Sequence, residues 1–97
     1  MGKVGILATV EAKAGKEREV ADFLKGALSL AEAEKLTLTW YAFQINDNTF
    51  GIFDTFESDE GRDAHLSGPI AAALMANAEA LLSKAPFIQK VDLLVVK

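Results

Sequence analysis

Apolar residues along this chain change their spacing in a fixed order, and that order restricts the fold more than any other feature. From Lys3 to Ala12 they alternate, with Val4, Ile6, Ala8 and Val10 on one face, the period of a strand lying on a core. After the break at Lys13-Ala14-Gly15-Lys16 the spacing becomes three and four. Val20, Phe23, Leu24, Ala27, Leu28 and Ala31 form one stripe, opposite Glu17, Arg18, Asp22, Lys25 and Glu32. This pattern predicts an amphipathic helix of roughly four turns. Thr37 to Ile45 and Thr49 to Glu57 return to the strand pattern, rich in β-branched and aromatic residues, and Asn46-Asp47-Asn48 between them suits a hairpin.

Ser58 is placed to cap a short helix running through His65, with Asp59 and Glu60 in the first turn where the helix dipole favours negative charge. Ser67-Gly68-Pro69 interrupts it, and Pro69 sits where a first helical turn tolerates proline. Ile70, Leu74, Met75, Ala78, Leu81, Leu82 and Ala85 make the apolar stripe of a longer helix that Pro86 ends, and Phe87 to Lys97 reads as a last strand.

The order is β-α-β-β-α-β. Right-handed crossovers in each half give an α+β, ferredoxin-like domain over residues 1–97, with a four-stranded antiparallel sheet and both helices on one face. Two helices cover only one side of such a sheet, so a monomer should carry polar residues on the other. The second strand instead places Tyr41, Phe43 and Ile45 on one face and Leu38, Trp40 and Ala42 on the opposite one. In the last strand Phe87, Val91, Leu93 and Val95 alternate with Ile88, Leu94 and Val96. The surplus apolar face predicts a homodimer with two sheets packed face to face, a dimeric α+β barrel with its helices outside.

The composition narrows the chemistry. With no cysteine, disulfides, zinc-thiolate sites, iron–sulfur clusters and thiol catalysis are excluded together, and with one histidine, His65, any metal site would have to rest mainly on carboxylates. A formal charge of −4 argues against nucleic acid and anionic membranes as partners. No apolar run approaches the ~20 residues that span a bilayer, and the N-terminal stretch lacks a signal-peptide pattern, so a cytoplasmic location is expected. There is no phosphate-binding glycine loop, metalloprotease helix or dinucleotide fingerprint. The third strand, Phe50-Gly51-Ile52-Phe53-Asp54-Thr55-Phe56, has aromatics where RNA-recognition domains place theirs. Phe50 stands where a basic residue is needed, however, and Asp54 would repel phosphate.

Two residues invite a chemical reading. His65 has an unperturbed pKa of ~6.5, suited to a base near neutral pH, although a lone histidine at a helix end also serves as a cap or packing group. Asp54 lies within a strand on the face of Phe50, Ile52 and Phe56. Buried there, its carboxylate needs donors or a shifted pKa; at a sheet edge it would reach solvent or pair with Lys90 or Arg62. The aromatic residues around the hairpin, including Trp40, Tyr41, Phe43, Phe53 and Phe56, could pack as a core or wall a flat apolar pocket with the Tyr41 hydroxyl as its polar handle.

Asp54-Thr55-Phe56-Glu57-Ser58 and Asp63-Ala64-His65-Leu66-Ser67 match, in order and spacing, a pattern of the antibiotic biosynthesis monooxygenase family: an acidic residue, a spacer and an aromatic closing the third strand, then a histidine on the next helix. Gly15-Lys16-Glu17 opening the first helix is also typical, so the chain resembles that family, which includes quinol monooxygenases, over nearly its whole length. The resemblance implies a dimeric ferredoxin-like fold and a cofactor-independent monooxygenase acting on a small aromatic molecule such as a quinol or polyphenol. Its base would be His65 or Asp54, its donor Tyr41 or Trp40, and its pocket walls Phe43, Phe53, Phe56 and Leu74. The common tryptophan is Phe56 here and the common glutamate is Asp54. Haem degradation in similar proteins uses that tryptophan and a first-strand asparagine; Ala8 and Thr9 stand in this first strand, which disfavours a haem role. The alternative is a non-catalytic dimeric module that binds a small apolar ligand or serves as a structural partner.

Overall fold

The computed structural model describes residues 3–97. Its elements run β1 (Val4–Glu11), α1 (Glu17–Gly26), α2 (Leu28–Ala33), β2 (Thr37–Gln44), β3 (Thr49–Phe56), α3 (Asp59–Leu66), α4 (Pro69–Leu81) and β4 (Phe87–Asp92). The strands form one antiparallel sheet in the order β2-β3-β1-β4, the ferredoxin-like arrangement expected from the spacing. Register explains the face. Ile6, Ala8 and Val10 of β1 lie opposite Asp54, Ile52 and Phe50 of β3, and these residues are buried under the helices with Val20, Leu24, Leu74 and Leu82.

Local chemistry sets the joints. Gly15 adopts φ +85, the left-handed region that other residues avoid, and turns the chain from β1 into α1. In the hairpin the Asn46 side-chain oxygen accepts from the backbone N–H of Asn48 at 3.1 Å and of Thr49 at 3.0 Å, so one short side chain satisfies two turn donors. Pro69 opens α4 directly after Gly68, as its fixed φ and missing N–H allow. Ser58 stands before α3 in extended conformation but makes no side-chain capping bond; the expected cap is positional only.

Three expected boundaries are corrected. The first crossover helix breaks at Ala27 into α1 and α2, directly after Gly26, a residue that costs a helix interior about 1 kcal/mol relative to alanine. The fourth helix stops at Leu81 rather than at Pro86. Leu82 bridges to Ala12, and Ser83 N–H donates to Glu11 O at 2.9 Å, so the end of β1 captures the chain early. The last strand ends at Asp92 rather than Lys97, because its partner β1 begins at Val4, opposite Asp92. After the bond from Leu93 N–H to Lys3 O, residues 94–97 pair with no strand among the described residues and lie exposed.

The sheet face turned away from the helices carries Leu7, Tyr41, Phe53, Phe87 and Val91. Tyr41 is 54% and Phe87 60% exposed. On the same face the Phe43 ring lies over Gly51, in the space that a β-carbon there would occupy. The apolar surplus inferred from strand alternation is therefore visible as exposed surface. No helix among the described residues is long and apolar enough to cross a membrane.

Candidate active site

Asp54 is on β3, an interior strand, and is fully buried, so the sheet-edge alternative for it is removed. Neither suggested cation is its partner. Arg62 donates to Asp59 at 2.9 Å and to the carbonyl of Val91 at 3.1 Å, while Lys90 lies 3.9 Å from Asp63. The partner of Asp54 is His65, whose Nε2 is 2.9 Å from Oδ2. The geometry of that contact leaves both Asp54 oxygens without an aligned hydrogen-bond donor.

On its other side His65 is held by a residue with no predicted role. Nδ1 donates to Glu34 Oε1 at 2.6 Å, and the same oxygen accepts from the Thr37 hydroxyl at 2.7 Å. Glu34 follows α2, so the break at Ala27 and the turn into β2 bring it over α3. Phe56 packs against the imidazole with ring centres 5.4 Å apart. The imidazole thus lies between two carboxylates on opposite ring nitrogens. Burial pushes the pKa of His65 down, but contact and charge from Asp54 and then from Glu34 more than offset it, raising it from 6.5 to about 9. At neutral pH the ring is an imidazolium. An imidazolium has no free nitrogen lone pair, which leaves the Asp54 carboxylate as the acceptor on that side of the ring.

A cavity of about 120 Å³ opens on the Asp54 side of this cluster. Ile6, Ala8 and Ile52 come from the sheet, and Leu66, Ile70, Ala71 and Leu74 from the helices. The exposed Met75 and Ile88 are the solvent-facing members of the lining, and Asp54 and His65 are its polar members. A second space of about 190 Å³, lined by Glu34, Thr37, Gly61, Ala64 and Pro69, reaches His65 from its other side. The histidine separates the carboxylates, and among the described residues no set of three acidic or histidine side chains is arranged to hold a metal ion.

The structure brings together His65, Asp54, Phe56 and Leu74. Trp40 is the β2 partner of Asp54 across the sheet and its indole N–H is buried without an acceptor, whereas Tyr41, Phe43 and Phe53 are not brought to the cluster. Trp40, Tyr41 and Phe43 line an open cleft of about 480 Å³ between β2 and α1–α2, whose other titratable side chain is Lys25. Phe53 points to the opposite sheet face, opposite Leu7 and Tyr41. Neither Tyr41 nor Trp40 borders the cavity that holds Asp54.

No family model matches the chain, and no curated protein matches it. Among solved structures, a protein of unknown function from Nitrosomonas europaea is 52% identical over 100% of this chain and 94% of its own, with a TM-score of 0.98. An antibiotic biosynthesis monooxygenase is 14% identical over 95% of this chain and 99% of its own, with a TM-score of 0.81. A Pseudomonas aeruginosa protein is 18% identical over 98% of this chain and 97% of its own, with a TM-score of 0.83.

Proposed function

Because the chain belongs to the same family as the Nitrosomonas europaea protein and has the antibiotic biosynthesis monooxygenase fold, we propose that it is a cofactor-independent monooxygenase of small hydroxyaromatic molecules. The observation that carries this reading is the Asp54 carboxylate, buried and without an aligned donor, on the wall of an otherwise apolar cavity. Apolar cavities of about 150 Å³ hold one benzene. A space of about 120 Å³ with exposed residues among its lining therefore suits a single ring, such as a hydroquinone, and is too small for a fused polycycle.

A hydroquinone entering between Met75 and Ile88 would place one hydroxyl on Asp54. The carboxylate takes the proton, and the surrounding Ile6, Ile52, Ile70 and Leu74 side chains keep water from quenching the anion. The electron-rich ring then passes one electron to molecular oxygen, the radical pair forms a carbon–oxygen bond, and loss of water leaves a hydroxyquinone. One hydroquinone and one oxygen molecule give one hydroxyquinone and one water, with Asp54 returning its proton to the departing oxygen. His65 holds Asp54 in place, and Glu34 fixes the imidazole through Nδ1. Of the expected wall residues Leu74 borders this cavity, while Phe56 packs against the imidazole.

In the same proposal the exposed sheet face pairs with that of a second copy. Its apolar side chains are contiguous across all four strands, and burying Tyr41, Phe43 and Phe87 gives the face the cover that no helix supplies. Product analysis under ¹⁸O₂ tests the activity. The expected product carries one labelled oxygen atom per molecule, with the second in water; an unlabelled quinone would show simple dehydrogenation and overturn the monooxygenase reading.

A further inference from the structure

The buried cluster at the cavity has an unbalanced charge. Glu34 and Asp54 flank His65, and one imidazolium can neutralise only one of two carboxylates. The nearby cations do not complete the balance: Arg62 is engaged by Asp59 and two backbone carbonyls, Lys90 by Asp63, and Lys35 stands on the far side of His65 from the cavity. Thr37 supplies Glu34 with a hydroxyl donor but no charge. The Asp54 side chain, 1% exposed, has two oxygens without aligned donors, and it faces a space with no other polar lining than His65. A buried group in that condition accepts hydrogen bonds and offers none.

We propose that this cavity is a charge-selective ligand site that admits uncharged single-ring molecules bearing an N–H or O–H donor and excludes their anions, and that Glu34, which does not line it, sets the selectivity. The donor of an entering ligand satisfies Asp54, whose unmade hydrogen bonds are otherwise a cost of burial. A carboxylate in the same position would bring a third negative charge within a few ångströms of a cluster already in excess by one, in surroundings too apolar to screen it. Substituting Glu34 removes one of the two carboxylate charges without replacing any residue of the cavity lining. Glu34 is therefore a positioning and charge-setting residue, acting through His65. This inference deepens the proposed function but does not require oxygen chemistry.

Benzamide and benzoate are nearly isosteric, differing in the N–H donor and the charge, and they are the probes for calorimetric titration of the full chain at neutral pH. The wild-type protein is expected to bind benzamide at least tenfold more tightly than benzoate, and Glu34→Gln to reduce that ratio at least threefold, chiefly by admitting benzoate. Equal binding of the two by wild type, binding of neither, or an unchanged ratio in a folded Glu34→Gln protein would each overturn the proposal. The wild-type ratio needs no variant, so misfolding of Glu34→Gln cannot hide the answer. A protein that shows the ratio yet turns over no quinol would contradict the monooxygenase reading while leaving this one standing.

Discussion

The sharpest consequence of the clamped imidazole is a dependence of stability on pH that one residue should own. His65 has a pKa of about 9 in the folded protein against 6.5 when unperturbed. A pKa raised by folding means that the native state holds the proton more tightly. The stabilisation is then fully present below pH 6.5 and is lost as pH rises through about 9. At about 1.4 kcal/mol per pH unit, the displacement corresponds to a contribution on the order of 3 kcal/mol, a large part of the stability of a small domain. Urea unfolding at about pH 6 and about pH 9.5, at one fixed protein concentration, measures it. The wild-type midpoint is expected to fall by at least about 1 M. In His65→Gln, which cannot carry the charge, most of that difference should vanish, because all other titrating groups are common to both proteins. Coincident wild-type midpoints at the two pH values, or the same slope in His65→Gln, would refute the clamp as described.

Other substitutions separate the parts of the account. Leu74→Ala, which truncates a buried wall residue, should cost about 2–5 kcal/mol in the same unfolding assay while enlarging the cavity, so that bulkier phenols bind. Gly51→Ala would drive a β-carbon into the Phe43 ring and should lower stability by about 1–3 kcal/mol, read as a lower thermal midpoint. Tyr41→Lys combined with Phe87→Lys places charge on the exposed sheet face without touching the acid–base cluster; light scattering is expected to show a dimer for the wild type and a monomer for the double variant.

The fold was legible because it depends on periodicity. Alternation in β1 placed Ile6, Ala8 and Val10 on the buried face, and the hairpin was written in Asn46-Asp47-Asn48. Boundaries were less legible where tertiary pairing decides them. Nothing local in Leu94-Val95-Val96 says that pairing with β1 stops at Asp92, opposite Val4, and the apolar stripe through Ala85 does not reveal that Ala12 captures Leu82. At the site, Asp54 and His65 stood out as a charge on a buried strand face and as the only histidine. Their contact joins residues eleven apart in sequence through packing of α3 on β3. Glu34 gave no signal. It lies in Glu32-Ala33-Glu34-Lys35, where charge reads as a solvated helix end, and it reaches His65 across 31 positions only because the helix breaks after Gly26. The hairpin aromatics misdirected the pocket assignment for a related reason: strand alternation sends Tyr41, Phe43 and Phe53 away from the face that holds Asp54.

The central claim is that Asp54 removes a proton from a hydroxyaromatic ring held in the apolar cavity, starting its reaction with oxygen. Oxygen uptake by metal-free protein with a monocyclic hydroquinone, corrected for autoxidation, compares wild type with Asp54→Asn most directly. The amide keeps the size of the side chain and removes its basicity, and loss of a general base typically costs about 10²–10⁴-fold in rate. The account predicts uptake by wild type and a loss of at least a hundredfold in Asp54→Asn with the fold intact. Uptake that is unchanged in Asp54→Asn, or absent from wild type across single-ring hydroquinones, would contradict it.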